Sequence, residues 1–192
     1  EEKIIKSMWS TIGRNFAEAF QKALRMVQTS NVLGFEPLNT KWPGSNGVEM
    51  PPNRVAILSH LQHASPRRPY DIAMAFQNNI TVKEIAEWTR IDKFFLILLE
   101  EIHHTSVHLR QYGSLLDLSK HLLQRAKQLG FSDMQIADKI GNMCSMEKVR
   151  KRRISFGIKP TVKQIDTTSG EFLASSSYYF MTYNAYDKKS VG

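Results

Sequence analysis

Histidine spacing gives the first candidate for chemistry in this chain. His60 and His63 are three residues apart, and His104 and His108 are four apart, which places each pair on one face wherever the chain is helical. Two imidazoles can begin a zinc site, but such a site needs a third ligand and a supporting shell, and no HExxH motif is present. We therefore predict packed or surface histidines and no metal site.

Other reactive side chains are isolated in the sequence. Glu100 and Glu101 occupy adjacent positions that point in different directions on a helix, so they are not predicted to work as an acid–base pair. Cys144 is the only cysteine, which excludes a disulfide framework or a thiolate metal cluster and favours a reducing compartment. The chain has no supported Ser/His/Asp or Cys/His arrangement and no glycine-rich phosphate loop. We predict no catalytic, cofactor-binding or metal-binding residue in this chain.

Positive charge is the remaining candidate. The chain has 26 Lys and Arg against 18 Asp and Glu, and a net charge of +8 attracts nucleic acid, anionic lipid or an acidic protein. Five cations follow a helix-turn-helix pattern at residues 122–139, as in a DNA-binding domain. They are Lys148, Arg150, Lys151, Arg152 and Arg153. At about 100° per residue they fall at roughly 0°, 200°, 300°, 40° and 140° and surround the helix. This favours a solvated helix end or a surface for an acidic partner, with a nucleic-acid-binding domain as the alternative.

The pattern at residues 122–139 contains a helix end, a turn and a second helix start. Apolar residues recur at helical spacing up to Leu129, Gly130 is the residue type that ends helices in the left-handed region, and Phe131 can fold back onto the last turn. Ser132 and Gln135 then form a capping box for the next helix. The apolar face of that helix consists of Met134, Ile136, Ala137 and Ile140.

A second copy of this helix start lies earlier in the chain. Residues 81–86 match residues 132–137 at an offset of 132 − 81 = 51 residues, with the cap, its capping-box partner and an Ile-Ala pair in register. Two αα-hairpins of one design are therefore predicted. Ile85 and Ile136 are expected to be buried equivalents.

The first half of the chain supplies further helices. Asn15 and Glu18 open an amphipathic helix. Its apolar face is predicted to be Phe16, Phe20, Ala23, Leu24 and Val27. Residues 29–53 are rich in Gly, Pro, Asn and Ser and are predicted to form a long loop. Two short helices are expected on either side of a break at Ser65-Pro66.

The second half combines helices with a β-rich end. The apolar block of residues 94–99 predicts a central helix that is buried on several sides, and another helix is predicted over residues 115–129. Residues 162–168 and 178–183 are β-rich and predict an extended arm outside the helical part. The predicted fold is mainly α, an irregular helical domain of repeated αα-hairpins with a C-terminal extended or β arm.

Membrane and targeting signals are weak. No stretch approaches the roughly 18 apolar residues of a spanning helix, and the opening residues EEKIIK lack the apolar core of a signal peptide. We expect a soluble, cytoplasmic protein. Both ends read as cut, which suggests a fragment of a longer chain.

In this order the residues resemble the central oligomerisation, or connecting, domain of the carbamoyl-phosphate synthase large chain. The blocks that carry the resemblance are Ile12-Gly13-Arg14 and residues 20–25, 89–96, 126–127, 129–133, 135–137, 157–160, 162–167, 171–172, 178–179 and 182–183. The stretch of residues 6–11 and the segment 168–170 depart from the family pattern. The resemblance implies the tail of a first synthetase half with a leading helix at 1–28, the helical oligomerisation or connecting domain at 29–157 and an extended arm into a second half at 158–192.

The resemblance also implies a role. The family's large chain has two ATP-grasp halves that use two ATP, with Mg²⁺ or Mn²⁺, to make carbamoyl phosphate from bicarbonate and glutamine or ammonia for arginine, urea or pyrimidine synthesis. This segment would join the halves without a catalytic, cofactor or metal residue of its own. Its partners would be those halves, a glutaminase and a second copy of itself, with no membrane or nucleic acid, in the cytoplasm or the mitochondrion. The family-motif residues, expected to be structural, are Gly13, Arg14, Arg90, Asp92, Gly130, Phe131, Ser132, Asp133, Ile136, Lys163, Gln164, Asp166, Thr167 and Glu171.

Overall fold

A computed structural model describes residues 11–26, 34–37, 53–141, 143–166, 168, 171–173 and 177–184. Within these residues the chain forms eight helices and one pair of short strands, which confirms the mainly α prediction. The elements are α1 (Phe16–Met26), α2 (Arg54–Gln62), α3 (Arg68–Gln77), α4 (Val82–Thr89), α5 (Lys93–Arg110), α6 (Lys120–Gln128), α7 (Asp133–Ile140), α8 (Met146–Ser155), β1 (Thr161–Gln164) and β2 (Tyr179–Thr182). Val27, most of the predicted loop 29–53, Thr167 and both chain ends lie outside the described residues.

The contacts divide the chain into two compact units. The described part of the first unit lies within residues 23–108 and contains α2, α3, α4 and most of α5. The second unit combines residues 11–22 with the described residues from 109 onward, so it contains the start of α1, α6 to α8 and both strands. Each unit holds one copy of the predicted hairpin.

The two helix starts of the repeat are confirmed. Thr81 and Ser132 cap α4 and α7 by accepting the backbone N–H of Glu84 at 3.4 Å and of Gln135 at 3.0 Å. The side chains of Glu84 and Gln135 return the bond to the cap N–H at 3.0 and 2.7 Å. Behind each cap Ile85 and Ile136 are completely buried, as predicted.

The repeat extends further than the predicted motif. In the turns that follow α3 and α6, Asn79 has φ +56° and Gly130 has φ +93°, again 51 residues apart. In both turns the next residue, Ile80 or Phe131, donates its N–H at 3.0 Å to the carbonyl five residues earlier and is buried. This left-handed helix stop satisfies carbonyls that would otherwise lack a partner, and its apolar residue seals the last turn.

The start of α1 follows the prediction, but its buried side does not. Asn15 Oδ1 accepts the Glu18 N–H at 2.8 Å and caps the helix. The buried residues of α1 are Ala17, Glu18, Gln21 and Leu24. Phe16 and Phe20 are only partly buried and stack on each other at 5.3 Å between ring centroids. The predicted apolar face is therefore wrong in part, because two polar side chains find polar partners in the interior.

The apolar block of α5 is also less buried than predicted. The buried residues of the block and the following turn are Leu96, Leu99 and Ile102. Phe94, Phe95 and Ile97 are 62%, 43% and 54% exposed. Burial follows one helical stripe, so the prediction of a helix buried on several sides is wrong for these three side chains.

A helix boundary also differs from the sequence interpretation. The helix predicted over 115–129 begins at Lys120, because Ser119 caps it by accepting the Leu122 N–H at 3.2 Å. β1 and β2 pair antiparallel, which confirms the predicted strands. At the end of β2, Thr182 is completely buried and donates to Glu18 of α1 at 2.8 Å.

Candidate functional site

The turn between α6 and α7 packs closely against the first half of α1. A Cβ added to Gly130 would lie 3.0 Å from Gln21 Cβ and 3.0 Å from Glu18 Cα, so a side chain here would crowd α1 and would also be strained at the φ of +93°. Gln135 Nε2 also donates to Gln21 Oε1 at 3.2 Å, inside the unit. Gln135, the capping-box partner of Ser132, thereby holds α1 as well as the start of its own helix.

Next to this turn lies a buried ion cluster. We name it the Asp133 cluster, and it consists of Lys127, Asp133, Arg153 and Tyr183. Asp133 Oδ1 accepts from Lys127 Nζ at 2.7 Å, and its Oδ2 accepts from Arg153 Nε at 2.8 Å. The side chains of the three charged residues are only 6%, 12% and 11% exposed. Both cations face the Tyr183 ring, Lys127 Nζ at 4.9 Å and Arg153 Cζ at 5.7 Å from its centroid.

Each cation of the Asp133 cluster also binds a backbone carbonyl. Lys127 Nζ donates to Phe131 O at 2.7 Å, and Arg153 Nη1 donates to Ile158 O at 3.3 Å. Burial alone would raise the pKa of Asp133, but Lys127 and Arg153 together hold that pKa below its usual value. Burial raises the pKa of Tyr183. The cluster therefore stays ionised at Asp133 and joins α6, α7 and α8 to the residue that follows β2.

A second polar cluster joins α1 to the end of the arm, the Glu18 cluster: Arg14, Glu18, Lys22, Thr182 and Asn184. Glu18 is 2% exposed. Its Oε2 accepts from Thr182 Oγ1 at 2.8 Å, from Asn184 Nδ2 at 2.9 Å and from the Arg14 N–H at 3.1 Å. Its Oε1 accepts from Lys22 Nζ at 2.8 Å. One carboxylate thus holds residues from the two ends of the described chain.

The partners of Glu18 explain why a carboxylate can be buried there. Burial would raise the pKa of Glu18, but the hydrogen bonds from Lys22, Asn184, Arg14 and Thr182 lower it. Lys22 is itself fully used, since its Nζ also donates to Ile12 O at 2.9 Å and to Met181 O at 2.7 Å. The Glu18 carboxylate thus accepts four hydrogen bonds, and its lowered pKa keeps it ionised near neutral pH. We therefore interpret it as a group that positions the chain and does not transfer protons.

The structure brings together only some of the predicted family-motif residues. Gly130, Phe131, Ser132, Asp133 and Ile136 form the α6–α7 turn and its buried support. Gly13 and Arg14 join them through α1, because a Cβ on Gly13 would lie 2.6 Å from Ala19 N and Arg14 donates to Glu18.

The remaining motif residues lie elsewhere. Arg90 ends α4 at φ +61° and Asp92 Oδ1 accepts the Phe94 N–H at 2.8 Å, both in the first unit. Lys163 and Gln164 belong to β1 and pair with Phe180 and Tyr179.

Beyond β1 the motif residues shape a loop. Asp166 Oδ1 accepts from the Thr168 N–H at 2.9 Å, and Glu171 donates its N–H to Thr168 O at 3.0 Å. Thr167 lies outside the described residues. These contacts are local and bring no reactive group to either cluster.

The sequence analysis did not assign Glu18, Lys127 or Asn184 to a site, and it considered Arg153 only as part of the basic run. Lys127 had a readable signal, because it follows Leu123 by four residues and so lies on the buried stripe of α6, where an unpaired lysine is costly. Thr182 and Asn184, two of the partners of Glu18, had no such signal, because they are 164 and 166 residues away.

The structure also shows where one of the paired histidines and two cations of the basic run lie. His60 Nδ1 lies 3.4 Å from Asp71 Oδ2. The part of the chain that the structure describes contains no group of three or more His, Cys, Asp and Glu side chains suited to a metal, and no helix long and apolar enough to cross a membrane. Of the five cations near α8, Arg153 is buried in the Asp133 cluster and Arg152 donates to Leu116 O at 2.8 Å.

Comparison with known proteins decides the family. The family described as the carbamoyl-phosphate synthetase large chain, oligomerisation domain, matches residues 10–157, more than half of this chain. The chain belongs to this family. The resemblance carried by the sequence blocks is confirmed, and α1, Asp133 and Arg153 lie inside the matched range of the oligomerisation domain.

The relatives are much longer than this chain. The mitochondrial carbamoyl-phosphate synthase (ammonia) of Rattus norvegicus is 37% identical over 176 residues, 90% of this chain and 11% of the relative. The arginine-specific large chain of Eremothecium gossypii is 41% identical over 175 residues, 91% of this chain and 14% of the relative. The multifunctional protein pyr1-3 of Dictyostelium discoideum is 36% identical over 187 residues, 95% of this chain and 8% of the relative. The chain thus spans between 8% and 14% of the length of these relatives.

Proposed function

We propose that this domain is the connector of a carbamoyl-phosphate synthase large chain, which holds two ATP-grasp halves in a fixed relation and supplies no catalytic residue. In the parent enzyme the halves bind ATP and Mg²⁺ or Mn²⁺ and convert bicarbonate and ammonia, released by a glutaminase or taken up directly, into carbamoyl phosphate. The family assignment and the small share of the relatives that this chain spans support this role. The parent would work in the cytoplasm or, like the named rat relative, in the mitochondrion.

The observation that carries the proposal is the Glu18 cluster. Residues 11–22 and 177–184 lead toward the two ends of the chain, and a single buried carboxylate binds both through Arg14, Thr182 and Asn184. The Asp133 cluster then fixes Tyr183 to the helices. A connector needs such a joint, because flexible ends would let attached halves move independently.

The Glu18→Ala substitution in the complete synthase subunit tests the connector role. We expect carbamoyl phosphate synthesis to fall more than the ATP hydrolysis that the first half performs with bicarbonate alone, because the transfer between halves is disturbed and each half stays intact. Glu147→Ala, at an exposed position of α8, is the matched control and should leave both rates unchanged. Equal loss of both rates in a folded Glu18→Ala subunit would contradict the proposal.

The 192-residue chain gives two simpler tests. It should show no ATP turnover with bicarbonate and glutamine or ammonia, and measurable turnover would overturn the non-catalytic role. It should also show no binding to duplex DNA near physiological salt, whereas a nucleic-acid-binding domain would bind and lose affinity steeply as salt rises.

We further propose that the exposed face of α5 is where two copies of this domain associate. Phe94, Ile97, Glu101, His104 and His108 follow one another at alternating spacings of three and four residues, which places them on one face. Phe94 and Ile97 are 62% and 54% exposed, and a groove of about 370 Å³ runs along Ile97, Glu101, His104 and His108. The family description as an oligomerisation domain supports a second copy as the occupant.

Sedimentation velocity of the 192-residue chain tests this face. We expect concentration-dependent self-association that Ile97→Lys abolishes, because a lysine charge in an apolar contact loses its hydration. Val55→Lys is the matched control, since Val55 is 70% exposed on α2 and lies outside the proposed face. A chain that stays monomeric, or equal effects of the two substitutions, would refute the assignment.

A further inference from the structure

The second unit contains a cavity that neither polar cluster uses. Its volume is about 590 Å³ and it lies among residues 113–116, Ile140, Cys144 and one side of α8. Small-molecule sites typically measure roughly 300–1,000 Å³ and combine an apolar lining with a few polar groups. The volume of this cavity lies within that range, so its lining decides whether it suits a ligand.

One side of the cavity is apolar. Leu115, Leu116, Ile140 and Cys144 line it. Ile140 is buried, whereas Leu116 is 74% exposed, so the apolar lining runs from the interior of the unit to solvent. Such a surface favours a ligand with an apolar body and is unsuited to a bare ion.

The other side is cationic and belongs to α8. Lys148, Lys151, Arg152 and Ser155 all line the cavity. Their spacings of three, four and seven residues from Lys148 place them on a single face of the helix. Among the described residues that line the cavity there is no Asp or Glu, so the charge they contribute is positive and no carboxylate of that set balances it.

Part of this cationic side has unused hydrogen-bond donors. Within the described residues Lys151 makes no hydrogen bond or ion pair, and Arg152 Nε is buried without an acceptor. The rest of the Arg152 guanidinium is fixed, because Nη2 donates to Leu116 O at 2.8 Å and Cζ lies 4.3 Å from the centroid of the Phe156 ring. Lys148 Nζ donates to Met143 O at 3.1 Å and keeps further donors. A buried N–H without an acceptor is costly, and an anionic oxygen would satisfy it.

We propose that this cavity binds a small amphipathic anion, an organic phosphate or carboxylate whose apolar or aromatic body contacts Leu115, Leu116 and Ile140 while its anionic oxygens accept from Lys151 and Arg152. A polyanion such as nucleic acid is a poorer fit, because its phosphates carry no apolar body into the recess. The site lies apart from the Glu18 and Asp133 clusters, and the inference does not depend on the connector role.

Calorimetric titration of the 192-residue chain tests the proposal with four probes. 1-Naphthyl phosphate and 1-naphthoate present an aromatic body with either anionic group, inorganic phosphate presents the anion alone, and 1-naphthol presents the body alone. At least one naphthyl anion should bind about tenfold or more tightly than inorganic phosphate and 1-naphthol, since both sides of the cavity contribute. The ratio between the two naphthyl anions identifies the preferred anionic group.

Two α8 variants locate the binding. Lys151→Glu should weaken the tighter naphthyl anion by about tenfold or more, the loss expected on removing one charged hydrogen bond. Arg150→Glu makes the same charge change at the neighbouring position, which does not line the cavity, and should change the affinity by less than about twofold. Both positions are exposed, and thermal melts followed by circular dichroism check that both variants fold.

The alkylation rate of Cys144 tests the same site in the unmodified chain. It lines the cavity and is the only cysteine, so its alkylation by iodoacetamide reports occupancy of this site. A saturating naphthyl anion should slow the alkylation, and inorganic phosphate at the same concentration should not. Equal binding of phosphate and the naphthyl anions, equal effects of the two α8 variants, or an unchanged alkylation rate would each overturn the proposal.

Discussion

Removing the negative charge of Asp133 tests whether the ion cluster stabilises the second unit. Asp133→Asn keeps the shape of the side chain but leaves Lys127 and Arg153, which are almost fully buried, without a counter-charge. Loss of one partner from a buried ion pair costs about 3–5 kcal/mol, because the remaining charge is poorly hydrated. We expect the lower end, about 3 kcal/mol, since both cations keep backbone carbonyls at Phe131 and Ile158 as acceptors.

Urea denaturation followed by circular dichroism measures this cost. The unfolding midpoint should fall for Asp133→Asn while the slope with urea stays the same. Asp117→Asn is the matched control, because Asp117 is exposed in the same unit and should cost less than about 0.5 kcal/mol. A free energy of unfolding within about 0.5 kcal/mol of the unmodified chain for Asp133→Asn would refute the reasoning.

The pH dependence gives an independent check of the same contact. The folded-state pKa of Asp133 lies below the usual value of 3.8, so the charged form stabilises the folded state above that pH. As the pH falls through the folded pKa, below 3.8, this contribution is lost. The difference in unfolding free energy between the unmodified chain and Asp133→Asn should thus stay constant from about pH 7 to about pH 5 and shrink below 3.8. A difference that grew in acid would exclude the ion cluster as its cause.

Two further expectations concern the repeat. Ile85→Ala and Ile136→Ala should each cost about 2–5 kcal/mol in urea denaturation, because both side chains are completely buried, and near-zero cost at both would refute their equivalence. Gly130→Ala should cost more than Gly157→Ala, because both glycines have positive φ but only a Cβ on Gly130 would lie within 4 Å of other residues, whereas the left-handed strain alone is about 1–2 kcal/mol. Equal melting temperatures for the two glycine variants would show that the close approach to α1 is unimportant.

Local signals account for what could be predicted from the sequence. A capping box is decided by two residues three positions apart, so Thr81 with Glu84 and Ser132 with Gln135 were readable without any tertiary information. The helix stop at Gly130 was readable for the same reason, because its φ and its bonds involve only neighbouring turns. The offset of the two hairpins followed from these local patterns.

Tertiary partners account for what could not. The burial of Glu18 depends on Thr182 and Asn184 at the other end of the described chain, and no local pattern encodes them. The prediction for Phe94 and Ile97 was wrong in the opposite sense, because these apolar side chains were expected to be buried and are exposed. An apolar composition does not specify which side of a helix other residues of the same chain cover.

The two hairpins also show how one local design serves different ends. At the offset of 51 residues, Lys127 corresponds to Phe76 and Asp133 corresponds to Val82. The first hairpin therefore has apolar side chains at the two positions where the second has an ion pair, while both keep the same helix stop, capping box and buried isoleucine. A hairpin of this design therefore also forms with apolar residues at these two positions. In the second hairpin the charges add directed bonds to Arg153 and Tyr183, and so they attach α8 and the strand arm to it.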